Sequence, residues 1–344
     1  MTVYDPRATP WQIDESEFYE LDDRRAQLEF LVRYAILAPS GHNTQPWSFN
    51  IVGDGIEIFA DFTRRLPVAD RGNRELLMSI GAAITNLRVA AAHFGYETTA
   101  LYHRGVDDDP AVARVALRET CSADSSLRKL FPAIVARRTN RQPFDGRPID
   151  ESVLAAVCDL IEEQPEMMRF VQPHDRARAA DLVAEGDRQL MTNPAFRQEV
   201  AAWMRPNETF AGDGVCGDAF GILGPVSALG SWLVRSVDLG PAQAKHDRDL
   251  AANASGLIVI TGDDDRRSLI RSGEALERLL LLLTTLGIQY SFLNQPVEVE
   301  QLRNELWSMI RSPKPPQLMV RIGYSTPVRR PMPRRPIETV LASS

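Results

Sequence analysis

The chain has 344 residues, 44% of them apolar and 25% charged, a composition suited to one or two soluble globular units. Its net charge of −7 argues against nucleic acid or an anionic membrane surface as a general partner. Met1 to Glu15 lacks the apolar core of a signal peptide, and the longest apolar run, Leu279–Leu283, is far too short to span a bilayer, so a cytoplasmic location is expected.

In chain order, the first predicted element is a helix over Leu21–Ala38, ended by Pro39. Ser48–Ala60 reads as two strands about the turn Gly53-Asp54-Gly55. A helix follows within Ser79–Tyr96, then an acidic loop at Val106–Pro110 and a strand over Val112–Leu117. Leu127–Arg138 is expected to be helical and to lead into an extended segment, Thr139–Pro143. Ile149–Glu163 is another helix, with Asp150 its candidate cap. From Trp203 to Lys245 the pattern breaks into Pro and Gly with the aromatics Phe210, Phe220 and Trp232, which suggests an irregular lid or binding loop. Then come a strand at Leu257–Thr261, a helix within Arg271–Ile288, a strand at Leu318–Ile322, and a Pro/Arg tail with Arg329, Arg330, Arg334 and Arg335.

Two of these helices are alike. In Ser79–Tyr96 and Arg271–Ile288, Gly81 matches Gly273, Ala83 matches Ala275, Ile84 matches Leu276, Leu87 matches Leu279, Phe94 matches Leu286 and Gly95 matches Gly287. The earlier glycines are expected before the helix bodies, and the later pair are plausible left-handed stops. Each helix is flanked by strand-like segments, so the order strand, helix, strand occurs twice. The expectation is an α+β fold of two tandem halves, residues 1–125 and 126–344, packed as a pseudo-dimer around central helices.

Three short motifs could carry chemistry. Pro39-Ser40-Gly41-His42-Asn43, running on to Trp47, offers free backbone N–H groups and side-chain donors suited to the polar edge of a planar heterocycle. The same string would also serve as an ordinary polar connection with Trp47 in the core. In Arg137-Arg138-Thr139-Asn140-Arg141, an extended backbone would turn residues 137, 139 and 141 one way, aligning two guanidinium groups and a hydroxyl for a phosphate and a ring edge. Arg334 and Arg335 could complete the anion site. Ser291–Pro296, after the second repeated helix, could aim the N–H groups of Asn294 and Gln295 at a ligand.

Other patterns point elsewhere. Gly212-Asp213-Gly214-Val215-Cys216-Gly217 matches a dinucleotide fingerprint by letter, but no convincing strand precedes it and Gly224-Pro225 interrupts any helix after it. Cys121, Cys158 and Cys216 have no pairing pattern, and the five histidines have no zinc-ligand spacing, so no metal is expected.

Taken together, the Pro-Ser-Gly-His-Asn-Thr-Gln-Pro-Trp and Arg-Arg-Thr-Asn-Arg strings make the chain resemble the FMN-dependent nitroreductase family. Its tandem arrangement, the phrase Phe292-Leu293-Asn294-Gln295-Pro296 and the 203–245 region are most similar to the Acg-type branch, whose members are single-chain mimics of the dimer with a lid over the flavin. The resemblance implies that FMN is bound by Pro39, Ser40, Gly41, His42 and Asn43 from one half. Arg137, Arg138, Thr139, Arg141, Asn294, Gln295, Arg334 and Arg335 would come from the other. Arg137 and Thr139 would hold the phosphate, with Arg334 or Arg335 assisting. Arg141 would lie by the pyrimidine edge, and the N–H of Asn294 or Gln295 by the reactive N5. Glycine is usual near N5, where Asn294-Gln295 stands here.

The first half has Arg24-Arg25 without the rest of the arginine string, and the second half lacks the Pro-Ser loop, so one FMN per chain is expected. The flavin would carry the chemistry, with no catalytic side chain. NAD(P)H would be the electron partner and a nitro compound or quinone the acceptor. The alternative is a non-catalytic FMN-binding protein for storage, sequestration or redox sensing, closed by the lid. A chain that already mimics a dimer is expected to be a monomer or a weak homodimer.

Overall fold

The computed structural model describes residues 4–103, 109–164, 167–222, 224–328 and 330–342. The first part runs through α1 (Ser16–Tyr19), α2 (Arg24–Ala35), β1 (Trp47–Val52), β2 (Gly55–Ala60), α3 (Arg74–His93), β3 (Tyr96–Tyr102) and β4 (Ala111–Glu119). Then follow α4 (Ser125–Arg128), α5 (Phe131–Ala136), α6 (Glu151–Glu163), β5 (Met168–Phe170), α7 (Arg176–Thr192), α8 (Pro194–Ala202), β6 (Met204–Arg205) and β7 (Val215–Cys216). The last part is α9 (Gly230–Ser236), α10 (Gly240–Ala252), β8 (Gly256–Thr261), α11 (Arg266–Thr285), β9 (Gln289–Phe292), α12 (Gln295–Glu298), α13 (Glu300–Ile310) and β10 (Pro316–Gly323).

The fold is α+β, and its two four-stranded sheets share one topology. The first has the order β1-β2-β4-β3 and the second β5-β8-β10-β9, all pairs antiparallel. In each, the second strand leads through a 20-residue helix, α3 or α11, to the remaining pair. A tight turn at Gly53, φ +60°, joins β1 to β2, whereas α7–α10 stand between β5 and β8.

Helices α3 and α11 make the most extensive helix contact in the molecule. The matched glycines lie inside them, at the crossing, and not ahead of the helix bodies as expected. A Cβ on Gly81 would stand 2.0 Å from the Ile270 carbonyl oxygen, and one on Gly273 would stand 2.0 Å from that of Met78. Each glycine thus admits the backbone three residues before the other, the reciprocal contact that a two-fold axis produces. Gly95 (φ +85°) and Gly287 (φ +74°) end the two helices in the left-handed conformation, as their sequence positions suggest. By length and composition α3 could cross a membrane, but 89% of its apolar stretch is buried here, where it serves as a core helix.

Several sequence expectations change in detail. Helix α2 is shorter than Leu21–Ala38 because the Asp23 carboxylate accepts from the Ala26 N–H and caps it. Leu127–Arg138 forms two short helices, α4 and α5, with Pro132 in the first turn of the second. Leu127, Leu130, Phe131 and Ile134 pack into the core of the first sheet, which therefore extends beyond residue 125. Residues 106–108 of the acidic loop lie outside the described residues. The 203–245 stretch contains a short parallel pair, β6 and β7, the helix α9 and the start of α10. Helical structure there escaped notice because its Pro and Gly residues sit at helix starts, as in Gly240-Pro241.

The tail crosses back. Leu341 bridges Phe49 in parallel, with Phe49 N–H donating to the Val340 carbonyl at 2.7 Å and Ala342 N–H to the Phe49 carbonyl at 2.8 Å. Residues 340–342 thereby extend the β1 edge of the first sheet.

Candidate functional site

A cavity of about 270 Å³ opens beside the crossing of α3 and α11. The Pro39–Asn43 loop, helix α3, the 137–141 segment, the Asn294–Glu298 turn and the tail through Arg334 all line it. Arg335 is the one sequence-predicted site residue outside the lining. Its side chain donates to the Gln45 and Thr339 carbonyl oxygens, and its N–H to Gln45 Oε1, so it braces the loop from behind.

The loop holds an uncommon backbone. His42 (φ 48°), Asn43 (φ 57°) and Gln45 (φ 53°) are all left-handed without being glycine, a conformation that persists only where surrounding contacts enforce it. Asn43 Nδ2 donates to the carbonyls of Gly214 and Pro333, while its Oδ1 accepts from Arg334 at 2.9 Å. Gln45 Nε2 donates to the Gly212 carbonyl at 2.8 Å. The glycine string at 212–217 thus serves as a packing surface. A Cβ on Gly212 would lie 2.9 Å from the Arg334 carbonyl oxygen, and Gly214 (φ +76°) has the Trp203 carbonyl oxygen 2.5 Å from its would-be Cβ.

The arginine string is irregular in backbone and is pinned by its fourth residue, Asn140. Asn140 N–H donates to the Tyr290 carbonyl at 2.8 Å, its amide to Gln289 and Thr326, and Arg321 reaches the carbonyls of Asn140 and Gln142. Arg137, Thr139 and Arg141 face the cavity as alternation predicts, but Arg138 lines it too, because no strand enforces the period.

The guanidinium groups divide into two kinds. Arg137 is buried and donates to Tyr290 Oη at 3.0 Å and the Leu37 carbonyl at 3.1 Å, with its Nε 3.5 Å from the buried Glu277 carboxylate. Arg334 is buried likewise and donates to the carbonyls of Leu37, Ala38 and Pro333 as well as to Asn43. Both secure the loop through their terminal nitrogens. In contrast, Arg141 has no hydrogen-bond or ion-pair partner among the described residues and stands only under the Phe220 ring, 5.4 Å from its centroid.

Charge is poorly compensated at this end. Burial, then Arg137, lowers the Arg138 pKa to about 10, and burial with Arg137 and Arg138 lowers that of Arg334 well below the ordinary value. Burial alone brings Arg141 down to about 10. One carboxylate, Glu277, faces Arg137 and Arg334, and burial itself pushes its pKa up to about 7. Crowded guanidiniums with so little countercharge favour an added anion. Trp11, absent from the sequence reading, stacks under both Arg138 (4.1 Å) and Arg334 (4.8 Å). His42 is neutral, its pKa lowered to about 4 by burial and then by Arg141.

The opposite wall is acidic and was also missed. Glu75, Asp187 and Glu298 line it. Asn294 Nδ2 donates to Glu75 Oε1 at 2.9 Å, and Gln295 Nε2 bridges Asp187 and Asp247 at 3.1 and 2.8 Å. Burial, then Asp70, raises Glu75 to about 7; burial, then Asp247, raises Asp187 to about 8. Glu298 is raised well above the carboxylate range by burial and then by Glu75. The 203–245 region adds Val215 and Phe220 to the lining.

No family model matches the chain. Among curated relatives it is 25% identical to the NAD(P)H nitroreductase PigM of Serratia sp., over 92% of this chain and 93% of that one. A solved structure described as a nitroreductase from Anabaena variabilis covers 91% of both chains at 11% identity, with a TM-score of 0.48. The NAD(P)H nitroreductase acg of Mycobacterium tuberculosis is 30% identical over 329 residues, spanning 90% of this chain and 93% of its own. At that identity and coverage, the chain belongs to the Acg-type nitroreductase family.

Proposed function

We propose that the chain is an FMN-binding oxidoreductase that takes electrons from NAD(P)H and passes them to a nitro compound, quinone or similar acceptor. The observation that carries this reading is the unpartnered Arg141 guanidinium facing a cavity bounded by residues of both halves. The family's named members are called NAD(P)H nitroreductases, which supports the same reaction class.

The residues fit the group. An isoalloxazine needs donors at its polar edge and a wall of low polarity; Arg141, the Pro39–Asn43 loop, Met78, Leu276 and Phe292 offer these. A phosphate needs compensated positive charge, which Arg138, Arg137 and Arg334 supply in excess of Glu277. No backbone carbonyl of the described residues accepts from the N–H of Ser40, Gly41, His42, Asn294 or Gln295, which leaves those donors for a ligand. FMN, when bound, supplies hydride and electron transfer. In this arrangement Arg137 and Arg334 act chiefly by fixing the loop and by their charge, while Arg138 and Thr139 are the phosphate's direct partners. Arg141 holds a cation where electron density would accumulate, which favours electron uptake.

The two equivalent sheets and their central helices are read as two diverged copies of one unit, with one FMN site per chain and a monomer sufficient to form it. Val215 and Phe220 act as part of a lid. That cover also supports a second reading, FMN storage or sensing without turnover, because a closed lid would keep a nicotinamide from stacking on the ring.

Anaerobic stopped-flow spectroscopy separates them. The purified protein is expected to carry one flavin and to be bleached by NADPH within seconds. Bleaching by dithionite but not by NADPH would sink the oxidoreductase reading in favour of the second.

A further inference from the structure

We propose that Glu75 is the proton donor of the cavity, passing the proton on its Oε2 to the oxygen of a bound acceptor as that acceptor is reduced. This rests on the oxidoreductase reading and adds a residue to it. Reduction of a quinone to a hydroquinone adds two electrons and two protons. A hydride accounts for both electrons and one proton, so the second proton must come from an O–H or N–H donor. In the transfer, the Glu75 O–H bond breaks, an O–H bond forms on the quinone oxygen, and Glu75 is left as a carboxylate to be reprotonated from solvent.

The other polar groups of the cavity are less suited to this, and Glu298, pushed up by burial and by Glu75, gives up its proton only after Glu75 does. His42 is neutral and carries no spare proton near neutral pH. Guanidinium and hydroxyl groups release protons too reluctantly. Asp187 is tied through Gln295 to Asp247, on the side of α7 and α10.

Glu75, in contrast, sits where the two halves of the site touch. Its Oε1 accepts from Asn294 Nδ2, and the amide is oriented because its Oδ1 accepts from the Met319 N–H at 3.4 Å. The proton therefore belongs on Oε2. That oxygen lies 3.1 Å from where a Cβ on Gly41 would stand, directly against the loop that lines the cavity. A side chain at residue 41 would push the carboxyl away.

The neighbours keep the proton in place. Asp70 ahead of α3 opposes ionisation of Glu75, and Glu75 in turn pushes Glu298 up, with Asp70 and Asp187 adding to that. Arg74 favours ionisation, but its guanidinium is directed to Gln317 and the Val297 carbonyl. Burial and Asp70 prevail, and the carboxyl holds a proton up to about pH 7.

The test uses the FMN-loaded protein and its Glu75→Gln variant, with menadione as the quinone. Infrared spectroscopy should show a carboxylic-acid C=O band that titrates near pH 7, shifts when menadione binds, and is missing from the variant. With protein reduced by dithionite, oxidation by menadione should slow about 10²- to 10⁴-fold in the variant and lose its decline above pH 7. Asp70→Asn should keep the fast step but move its midpoint to lower pH, since the opposing carboxylate is gone. Equal menadione rates and pH profiles for wild type and Glu75→Gln would overturn the proposal, as would survival of the menadione-shifted acid band in the variant. Dithionite makes this independent of NADPH, so a failure of NADPH alone counts against the oxidoreductase reading and leaves the test of Glu75 intact.

Discussion

The two central helices share a crossing and differ in what they present beside it. Counting outward from the matched Gly81 and Gly273, Ala82 of α3 stands where α11 has Glu274, Ser79 where it has Arg271, and Glu75 where it has Arg267. On the α3 side the small residues leave the floor of the cavity open. On the α11 side Glu274 stands at the matching place, pairing with Arg88 at 3.0 Å and accepting from the Tyr102 hydroxyl. One backbone plan therefore gives two cavities of different chemistry, and the second, of about 330 Å³, is lined by the charged Arg88, Arg271, Glu274 and Arg278. Symmetry of the backbone does not carry over to chemistry when the residues flanking the axis diverge.

The comparison can be broken at its root. Gly81→Ala and Gly273→Ala each force a methyl group into a carbonyl across the crossing and should each cost about 3 kcal/mol or more, with matching losses in thermal melting. If only one of the pair destabilises, the reciprocal crossing is wrong. Next in size, Arg141→Ala should weaken FMN binding about 10- to 100-fold through the lost charged contact, measured by fluorescence titration. Arg271→Ala, in the cavity on the α11 side, should leave that affinity unchanged.

Glu277 occupies the place that Thr85 holds in the first helix, so only α11 should titrate there. Its folded pKa of about 7 lies above the ordinary carboxylate value. Its contribution to stability is thus full below the ordinary value and is lost as pH rises through about 7. Glu277→Gln should flatten that part of a denaturation-versus-pH profile, and an unchanged slope would remove Glu277 as its cause. The smallest effect is expected from Glu274→Ala, about 1 kcal/mol for a partly buried ion pair, with the flavin-to-protein ratio still one. A ratio of two would mean that Glu274 alone keeps flavin out of the second cavity.

Much of this was legible in the sequence because it was written locally. The Pro39–Asn43 loop and the 137–141 string announce themselves by residue type, and the repeat announces itself through glycines whose spacing the crossing requires. The acidic wall was not legible. Glu75 and Glu298 are charged residues of helical segments, which usually mark solvated faces, and only tertiary packing turns them inward. Trp11 reaches the arginines from far along the chain, so no local pattern could connect them. The commitment of Arg137 and Arg334 to main-chain carbonyls was likewise hidden, since side-chain direction depends on where Leu37 and Ala38 finish.

The tail has a temporal side. Strand β1 is made early, yet the partners of its edge, Val340 and Leu341, and the Arg334 that clamps Leu37, Ala38 and Asn43 are among the last described residues of the chain. During synthesis the first sheet must wait with an unpaired edge and a loose ligand loop until nearly all the remaining chain has emerged. Cofactor capture is thereby deferred until Arg334 has been made, and a product truncated before it would be left without the clamp.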